Sequence, residues 1–482
     1  LKCSGRTQKR TSRRPTTVTP PAVRKTQEKE RILPHMKIGF VSLGCPKNQL
    51  DTEVMLHELV KEGFEITPDE TEAEVIVINT CAFIESAKKE SIDTILEIAR
   101  LKEDHVLKAI IVTGCLAERY HDEILKELPE VDAVLGVGSI HEIVRAVRAV
   151  TAEKNDATRP FCSCLPSSEV ALGGDRVLTT PEYYSYLKIA EGCDNRCTYC
   201  AIPSIRGRFR SRPMEDLIRE AKDLEALGVK ELCIIAQDIT RYGEDLYGSY
   251  QLPTLLRKIT EETNIPWIRL LYCYPDKITD ALIAEIRDND RIVKYIDIPL
   301  QHIADPVLKA MNRRGDSALI RNVIGKLRQE IPGITLRTTF IVGFPGETEE
   351  DFRQLCDFVH TTRFEHLGVF AYSREENTPA YHMKNQIDPQ VKQDRLDTIM
   401  SDQLLINAEI NEAKIGKTLT VLYEGFDTVS QTHFGRTAAD APDIDGKVYF
   451  KVKTKTTLCE GDFVKVEIRD VIDYDLYGVL AE

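Results

Sequence analysis

The chain has 482 residues, of which 42% are hydrophobic and 29% are charged, and its formal net charge is −13. This length suffices for two to four domains with sizeable hydrophobic cores. The sequence contains neither the apolar run of roughly 20 residues that spans a bilayer nor the hydrophobic stretch of a secretory signal, so we expect a cytoplasmic protein without membrane contact.

Residues 1–35 differ in composition from the rest of the chain. They carry ten Lys and Arg against two Asp and Glu, whereas the remaining residues sum to −21. This segment is rich in Arg, Thr and Pro and has no hydrophobic periodicity, which predicts a disordered basic tail. Met36, the first methionine, directly precedes the first strand pattern. We therefore expect an expendable tail, the alternative being an arm that binds nucleic acid.

The next segment, residues 36–150, alternates short β-rich runs with amphipathic, helix-like stretches. The runs are KIGFVSLGC, EVIVINTC, KAIIVTGC and DAVLGVG. This alternation predicts an α/β domain with a parallel sheet and crossover helices. Residues 151–180 are polar, contain Pro and Gly and have no periodicity, which predicts a linker. We interpret Cys162 and Cys164 within it as incidental.

The first three of these strands each end on a cysteine. Cys45, Cys81 and Cys115 are 36 and 34 residues apart, so one βα unit separates each pair. The carboxyl ends of parallel strands share one edge of a sheet, where open α/β sheets bind ligands. Cysteines are common in cores, but three at matching strand ends favour a cluster site. The thirteen cysteines of the chain, an odd number in a large protein, likewise favour metal ligation in a reducing compartment over disulfides.

Residues 181–412 predict a second α/β domain, a partial (β/α) barrel closed off by one amphipathic helix over 388–412. Six strand-like runs alternate with helical patterns: YLKIAEGC, ELCIIAQD, WIRLLYCYP, YIDIPLQH, LRTTFIVGFPGE and HLGVFAYS. In such barrels the chemistry occurs at the carboxyl ends of the strands. Residues 413–482 contain short alternating strands with turn residues and predict a small antiparallel β-barrel.

The first barrel strand leads into a second group of cysteines, Cys193, Cys197 and Cys200, in the pattern C-x3-C-x2-C. Three thiolates are too few for a closed structural zinc site, which takes four ligands. They suit an iron–sulfur cluster in which one iron has no protein ligand and can hold an exchangeable molecule. A non-catalytic iron–sulfur or zinc scaffold is the alternative, although it does not explain an open ligand position at a barrel mouth.

The C-x3-C-x2-C motif after a first barrel strand resembles the radical S-adenosylmethionine (SAM) superfamily. Three strand-end cysteines before that barrel and a TRAM-type β domain after it resemble the methylthiotransferases. Within this family, SLGCPKN at 42–48 is similar to the RimO branch, the ribosomal protein S12 methylthiotransferases. The resemblance covers residues 37–482.

The resemblance implies two [4Fe-4S] clusters and two SAM molecules as cofactors. One cluster on Cys193, Cys197 and Cys200 would bind SAM and cleave it reductively to a 5′-deoxyadenosyl radical. A second cluster on Cys45, Cys81 and Cys115 would supply the inserted sulfur, and a second SAM the methyl group. The protein supplies position and shielding for this chemistry.

Several further residues are candidates for cofactor contacts. Most follow barrel strands, and Tyr199 lies between two cysteines of the motif; they are Tyr199, Gln237, Asp238, Gln301, Gly343 and Glu347. For the GFPGE segment a tight βα turn is an equally good interpretation. His302 is better explained as a structural histidine.

An arginine run follows the motif. An arginine occupies every second position from 206 to 212, so an extended segment would present all four on one face. They are Arg206, Arg208, Arg210 and Arg212. Arg206 and Arg208 are the candidates for binding a substrate carboxylate, and a salt-bridged surface is the alternative.

The family includes a branch that modifies adenosine in tRNA, so the sequence has to be examined for features that favour a protein or a tRNA substrate. Residues 414–482 carry nine Lys and Arg against twelve Asp and Glu, and DAPDIDG and RDVIDYD are acidic. Phosphate contacts dominate affinity for nucleic acid, so such a domain favours a basic protein over tRNA. We expect an aspartate of ribosomal protein S12 as the substrate and no tRNA partner. The sequence does not identify the electron donor.

Overall fold

The computed structural model describes residues 16–17, 36–103, 107–152, 160–452 and 456–481. These residues form an N-terminal parallel α/β sheet, a central open parallel barrel and a C-terminal closed β-barrel, in the predicted order. The predicted fold class is confirmed. None of the described helices combines the length and the apolar character that a membrane crossing requires.

The N-terminal sheet has the strand order β1-β2-β4-β5-β6-β7, with β3 paired to β2. All pairs are parallel except β1 with β2. Strands β4 and β5 are buried at every position, as expected for central parallel strands covered on both faces. The strands are β1 (Thr16–Thr17), β2 (Lys37–Ser42), β3 (Glu65–Thr67), β4 (Val75–Thr80), β5 (Ala109–Gly114), β6 (Ala133–Leu135) and β7 (Phe161–Ser163). The helices are α1 (Pro46–Lys61), α2 (Glu85–Ala99), α3 (Cys115–Glu127) and α4 (Ile143–Thr151).

Three of these strands were not predicted from the sequence. β7 lies inside the presumed linker and extends the sheet by pairing with β6, so that Cys162 belongs to an exposed edge strand and Cys164 follows it, also exposed. β3 is a three-residue strand, too short to show a period. β1 belongs to the predicted disordered tail, whose other residues, 1–15 and 18–35, lie outside the described part of the chain.

The central barrel is a six-stranded parallel sheet in the order β15-β14-β13-β12-β11-β8, open between β15 and β8. Its strands are β8 (Tyr184–Lys188), β11 (Glu231–Ile235), β12 (Trp267–Leu270), β13 (Ile292–Gln301), β14 (Thr335–Val342) and β15 (His366–Ala371). The helices of this unit are α5 (Ile202–Arg206), α6 (Met214–Ala226), α7 (Glu244–Tyr247), α8 (Leu252–Glu262), α9 (Asp280–Asp288), α10 (Asp305–Ala310), α11 (Ser317–Glu330) and α12 (Glu349–Thr362). A two-stranded antiparallel ribbon, β9 (Ala190–Glu191) with β10 (Arg210–Ser211), closes the base of the loop that carries the C-x3-C-x2-C motif.

The long helix α13 (Pro389–Glu412) leads from the barrel into the C-terminal domain. It begins where predicted, because Asp388 caps it by accepting a hydrogen bond from the Gln390 amide. Five strands then close a barrel in the order β16-β17-β18-β20-β19. They are β16 (Thr418–Asp427), β17 (Thr432–Thr437), β18 (Val448–Lys451), β19 (Phe463–Ile472) and β20 (Asp475–Leu480).

A buried ion-pair network joins this β-barrel to the amino-terminal ends of the central strands. Arg436, 1% exposed, pairs with Glu231 at the start of β11 (2.6 Å) and with Glu424 of its own domain (2.5 Å). Arg269 pairs with the other oxygen of Glu231 and stacks on the Tyr295 ring. The small domain therefore covers the end of the central barrel opposite the carboxyl ends of its strands.

The acidic DAPDIDG segment takes part in the same interface. Asp443 accepts a hydrogen bond from Tyr184 Oη (2.7 Å), and Asp445 accepts one from Tyr295 Oη (2.8 Å). Asp445 also pairs with Arg337, and Asp440 lies 3.5 Å from His366. The interpretation of this segment as a free acidic surface for a basic partner was wrong, because barrel side chains already bind its carboxylates.

We predict that Arg436→Gln lowers the free energy of unfolding by about 3–5 kcal/mol, because it leaves two buried carboxylates without their cation. Chemical denaturation of the apoprotein measures this. Arg469→Gln is the matched control, since Arg469 pairs with Glu467 in the same domain but is 58% exposed; its effect should stay below about 1 kcal/mol. Equal effects of the two substitutions would contradict the assignment.

Candidate active site

The loops that carry Cys45, Cys81 and Cys115 meet at the carboxyl edge of the N-terminal sheet. Cys45 immediately precedes α1, Cys81 follows β4, and Cys115 begins α3. Gly44 has a left-handed φ of 91°, and a Cβ there would lie 2.9 Å from the Cys81 Cβ. Only glycine allows so close an approach between the first two loops.

Asn48, fully buried in the first turns of α1, holds these three loops together. Its Nδ2 donates to the carbonyls of Leu43 (3.1 Å) and Thr80 (2.9 Å), each close to a cysteine. Its Oδ1 accepts from the Cys115 thiol at 3.6 Å. One amide therefore fixes the relative positions of the three cysteine-bearing loops.

Burial keeps the Cys81 and Cys115 thiols protonated in the metal-free state, because it raises the pKa of both. Burial, together with the nearby Cys45, raises the pKa of Cys81 to about 11. Burial raises the pKa of Cys115 to about 12, against the opposing effect of the Arg206 cation. Thiolate ligands form only with loss of these protons, so metal binding at this site must release protons.

The second group of cysteines lies in the loop between β9 and β10, at the carboxyl end of β8. The Cys193 amide donates to the Gly207 carbonyl and the Thr198 amide to the Met311 carbonyl, which anchors the loop on two sides. Burial raises the pKa of Cys193 to about 12. The Tyr274 hydroxyl lies 3.7 Å from the Cys197 Sγ.

A half-buried arginine that the sequence did not single out contacts the same thiol. Arg313 donates to the Cys197 Sγ (3.9 Å) and to the Pro299 carbonyl, and its guanidinium lies 3.9 Å from the Tyr274 ring centre. The sequence near Arg313 and Tyr274 gives no sign of this contact, because both residues reach Cys197 from distant barrel loops. A cation beside a thiolate lowers the energy of the charged form.

In the described parts of the chain, no group of three or more His, Cys, Asp and Glu side chains is arranged to hold a metal ion. Each cysteine group offers three thiols as donors, and thiolates are the usual ligands of an iron–sulfur cluster. Two buried amide oxygens, Gln237 Oε1 and Gln301 Oε1, have no hydrogen-bond partner among the described residues. Unpaired polar atoms at strand ends fit a polar cofactor.

The remaining predicted cofactor residues have existing partners. Asp238 accepts from Thr240 and from Asn195 of the cysteine loop, and Gln237 Nε2 donates to Glu191. Tyr199 packs edge-on against Phe344, with ring centres 6.5 Å apart.

The GFPGE segment forms a tight turn against α13. Gly343 has a φ of 70°, and a Cβ there would meet the Lys392 side chain at 2.3 Å. Glu347 accepts from the Phe344 amide (3.0 Å) and pairs with Arg395 of α13 (3.1 Å), and burial raises its pKa to about 7. Buried His302 accepts at Nδ1 from the Ala304 amide, and burial lowers its pKa to about 4. Glu347 therefore supports the turn, and His302 supports its own loop.

The four arginines do not share a face, contrary to the extended-segment prediction. Arg206 ends helix α5, and Arg210 lies in β10. Arg210 donates to three backbone carbonyls of residues 167–170, and Arg212 pairs with Glu220. Arg208 is the exposed member, with 83% of its side chain accessible and Asp194 at 3.5 Å.

Arg206 is the centre of a buried network between the N-terminal domain and the barrel. Its Nη2 donates to Asp51 (2.8 Å) and Asn48 (2.6 Å) of α1 and its Nη1 to Glu191 (3.1 Å), while the Cys115 Sγ lies 4.0 Å away. Lys188 bridges the same two carboxylates at 3.2 and 2.8 Å.

The charges in this network are balanced. Burial by itself would raise the pKa of Glu191, but Lys188 and Arg206 outweigh burial and hold it at about 2. The Arg206 guanidinium is thus already bound by two carboxylates. Its predicted contact with a substrate carboxylate is replaced by a structural role, joining the motif loop to the site around Cys115.

A second ionic bridge joins the N-terminal domain to the barrel. Buried Glu375, beyond β15, pairs with Arg119 of α3 (3.1 Å) and Lys88 of α2 (3.2 Å). Arg119 also donates to the Ala82 carbonyl (2.6 Å), next to Cys81. Both bridges therefore end beside a cysteine of the N-terminal site.

We predict that Arg206→Gln lowers the free energy of unfolding of the apoprotein by about 3–5 kcal/mol, because Asp51 and Glu191 lose a buried cation. Chemical denaturation measures the change. Arg208→Gln, two residues away on an exposed side chain, should change stability by less than about 1 kcal/mol. A near-neutral effect of Arg206→Gln would show that the network is dispensable.

Comparison with known proteins matches the three structural units one by one. Residues 37–136 match the model described as uncharacterized protein family UPF0004, residues 187–359 the radical SAM superfamily and residues 415–480 the TRAM domain. Among solved structures, the radical S-adenosylmethionine methyltransferase TsrM from Kitasatospora setae aligns over 77% of this chain and 89% of its own, with a TM-score of 0.53 and 14% identity. That similarity supports the fold alone.

Curated relatives are much more similar in sequence. The ribosomal protein uS12 methylthiotransferase RimO of Acetivibrio thermocellus is 51% identical over 445 residues, covering 92% of this chain and 98% of its own. The RimO proteins of Thermoanaerobacter sp. and Caldanaerobacter subterraneus are 51% and 52% identical over 441 residues, covering 92% of this chain and 99% of theirs. This chain is a member of the RimO family of radical SAM methylthiotransferases.

Proposed function

We propose that this protein is a radical SAM methylthiotransferase that adds a methylthio group to the β-carbon of an aspartate in ribosomal protein uS12. The main support for the proposal is sequence similarity. Relatives that are named for this activity are 51–52% identical to this chain over 92% of its length. The two cysteine groups on neighbouring domains, joined through Arg206, support it. Because the ribosome is cytoplasmic, we assign the reaction to the cytoplasm.

Two [4Fe-4S] clusters would be held by two groups of three cysteines. The first group is Cys193, Cys197 and Cys200, and the second is Cys45, Cys81 and Cys115. When bound, the clusters and SAM supply reductive radical formation, sulfur and methyl transfer. The protein itself orients and shields: Asn48 and Arg206 fix the N-terminal loops, while Arg313 and Tyr274 contact Cys197.

SAM would be bound at the carboxyl ends of the barrel strands. Gln237 and Gln301 each offer a buried amide oxygen that has no partner in the described chain. Asp238 supports the cysteine loop through Asn195, and Glu347 supports the turn at Gly343. Tyr199, packed on Phe344, would exclude water from the cluster.

A protein substrate is favoured over tRNA by charge. Outside the basic tail the chain sums to −21, and residues 414–482 sum to −3 although part of that acidic charge is bound to the barrel. A polyphosphate would be repelled, whereas a basic ribosomal protein would be attracted. Arg208 is exposed at the motif loop and is the arginine of its segment still able to reach a substrate.

The proposal predicts a mass increase on uS12 and none on tRNA when reconstituted enzyme, SAM and a chemical reductant are incubated anaerobically with both. Mass spectrometry of each substrate measures the outcome, and peptide fragmentation assigns the modified aspartate. Iron analysis should give about eight irons per chain, the content of two four-iron clusters. Modification of tRNA adenosine with unchanged uS12 would assign the protein to the other branch, and zinc without iron would indicate a scaffold.

Mutations in the two cysteine groups should abolish different steps of the reaction. Cys197→Ala should lose one cluster and all 5′-deoxyadenosine formation, because that site is assigned to SAM cleavage. Cys81→Ala should also lose one cluster and stop thiolation, while SAM cleavage continues. Cys162→Ala, at an exposed strand edge, is the control and should match the wild type. Wild-type methylthiolation by Cys81→Ala would refute a role for the N-terminal site.

A further inference from the structure

Lys47, in the first turn of α1 and two residues after Cys45, is a buried cation with an unusual environment. Counted as whole residues, eight Lys and Arg of the described chain are buried: Lys47, Lys188, Arg206, Arg212, Arg241, Arg269, Arg395 and Arg436. Seven of them form an ion pair with at least one carboxylate. Lys47, 6% exposed, is the one with no carboxylate oxygen of a described residue within 4.0 Å.

The neighbour of Lys47 is an aromatic ring of the barrel. Its Nζ lies 3.3 Å from the centre of the Tyr272 ring, which follows β12. Tyr272 has a left-handed φ of 64°, uncommon for a bulky residue, and its amide donates to Asp297 (3.0 Å). The ring stabilises a cation, but burial of a lysine normally requires an opposite charge.

Lys47 is adjacent to both cysteine groups, to one along the chain and to the other through Tyr272. On one side it is two residues from Cys45. On the other, Tyr272 is two residues from Tyr274, whose hydroxyl lies 3.7 Å from the Cys197 Sγ. In the proposed reaction the acceptor carbon must be reached from SAM at the Cys197 site and from sulfur at the Cys45 site. Lys47 therefore lies at the boundary between the segments that carry the two cysteine groups, where the proposed reaction requires the acceptor side chain.

The charge of the acceptor decides what an unpaired cation can do there. An aspartate carries a carboxylate on the carbon that is modified, whereas a tRNA adenine is uncharged. A lysine ammonium offers three N–H donors, and a charge-assisted bond to a carboxylate is among the stronger hydrogen bonds. The arginine predicted for this contact, Arg206, is already bound by Asp51 and Glu191.

We propose that Lys47 binds the carboxylate of the acceptor aspartate and thereby selects an acidic side chain as substrate. This inference rests on the proposed function, because it takes the acceptor to be an aspartate of a protein. Lys47 acts by binding and positioning the acceptor, with the Tyr272 ring holding its ammonium at the domain boundary. The bond orders the carbon next to the carboxyl group between the two cysteine sites.

The test is a double-mutant cycle in binding. The dissociation constants of labelled uS12 with the reconstituted enzyme are measured anaerobically by fluorescence anisotropy, with either aspartate or asparagine at the acceptor position. Wild-type enzyme should bind the aspartate form about tenfold more tightly, the effect of one charge-assisted bond. Lys47→Met should bind both forms alike, and Lys47→Arg should keep part of the preference.

Lys277→Met is the matched control. Lys277 also lies over a tyrosine ring at the barrel edge, 5.1 Å from the centre of Tyr250, but it has Asp276 as a partner at 3.5 Å. This variant should retain the wild-type preference for aspartate. Iron content and circular dichroism check that each variant is folded and loaded. If Lys47→Met does not fold, the comparison of the two uS12 forms on wild-type enzyme still tests the idea.

Equal affinity of wild-type enzyme for the two forms would overturn the inference, as would a full preference retained by Lys47→Met. If Lys47→Met lowered the affinity for both uS12 forms equally, Lys47 would instead act on the cluster site through its charge. That result would also overturn the inference. The proposed function is tested apart from this by methylthiolation of uS12 with wild-type enzyme. If uS12 is modified but the cycle shows no coupling, only the role of Lys47 fails.

Discussion

The buried pairing of Arg206 and Lys188 with Asp51 and Glu191 is the constraint on which the arrangement of the protein depends. It joins α1, which follows Cys45, to the loop that carries the C-x3-C-x2-C motif. Desolvation makes an isolated buried charge costly, so all four groups must be present together. A domain is stable by only about 5–15 kcal/mol, so loss of one member would remove a large fraction of that stability. The two cysteine sites are therefore held at a fixed distance.

The central barrel lies between two such interfaces. At its carboxyl end, the Arg206 network and the Glu375 bridge bind the N-terminal domain. At its amino end, Arg436 and the aspartates of the DAPDIDG segment bind the small β-barrel. Buried ion pairs are favourable only when their geometry is matched, so each interface constrains the orientation of the barrel. The amino end of the barrel is therefore covered by the small β-barrel, and the proposed reaction is assigned to the carboxyl end.

Local patterns in the sequence were sufficient for most of the architecture. The six barrel strands, the helix over 388–412 and the strand-end positions of Cys45, Cys81 and Cys115 follow from period, apolar runs and spacing, which are short-range properties. The prediction failed where the signal was too short or the partner too distant. Three-residue β7 shows no period and forms because β6 offers a free edge. The acidic DAPDIDG segment has the composition of a solvent-exposed loop, yet tyrosine hydroxyls from β8 and β13 bind its carboxylates.

The sequence by itself determined the fold class, the two cysteine groups and the family, because each depends on residue types at fixed spacings along the chain. Only the tertiary structure decided how the charges are paired. Arg206 and Lys47 are both cations close to a cysteine motif, and nothing local distinguishes a paired cation from an unpaired one. Folding brings two carboxylates to Arg206 from segments far apart in sequence, and it brings a tyrosine ring to Lys47. Coulombic pairing depends on distance in space, which the order of residues does not specify.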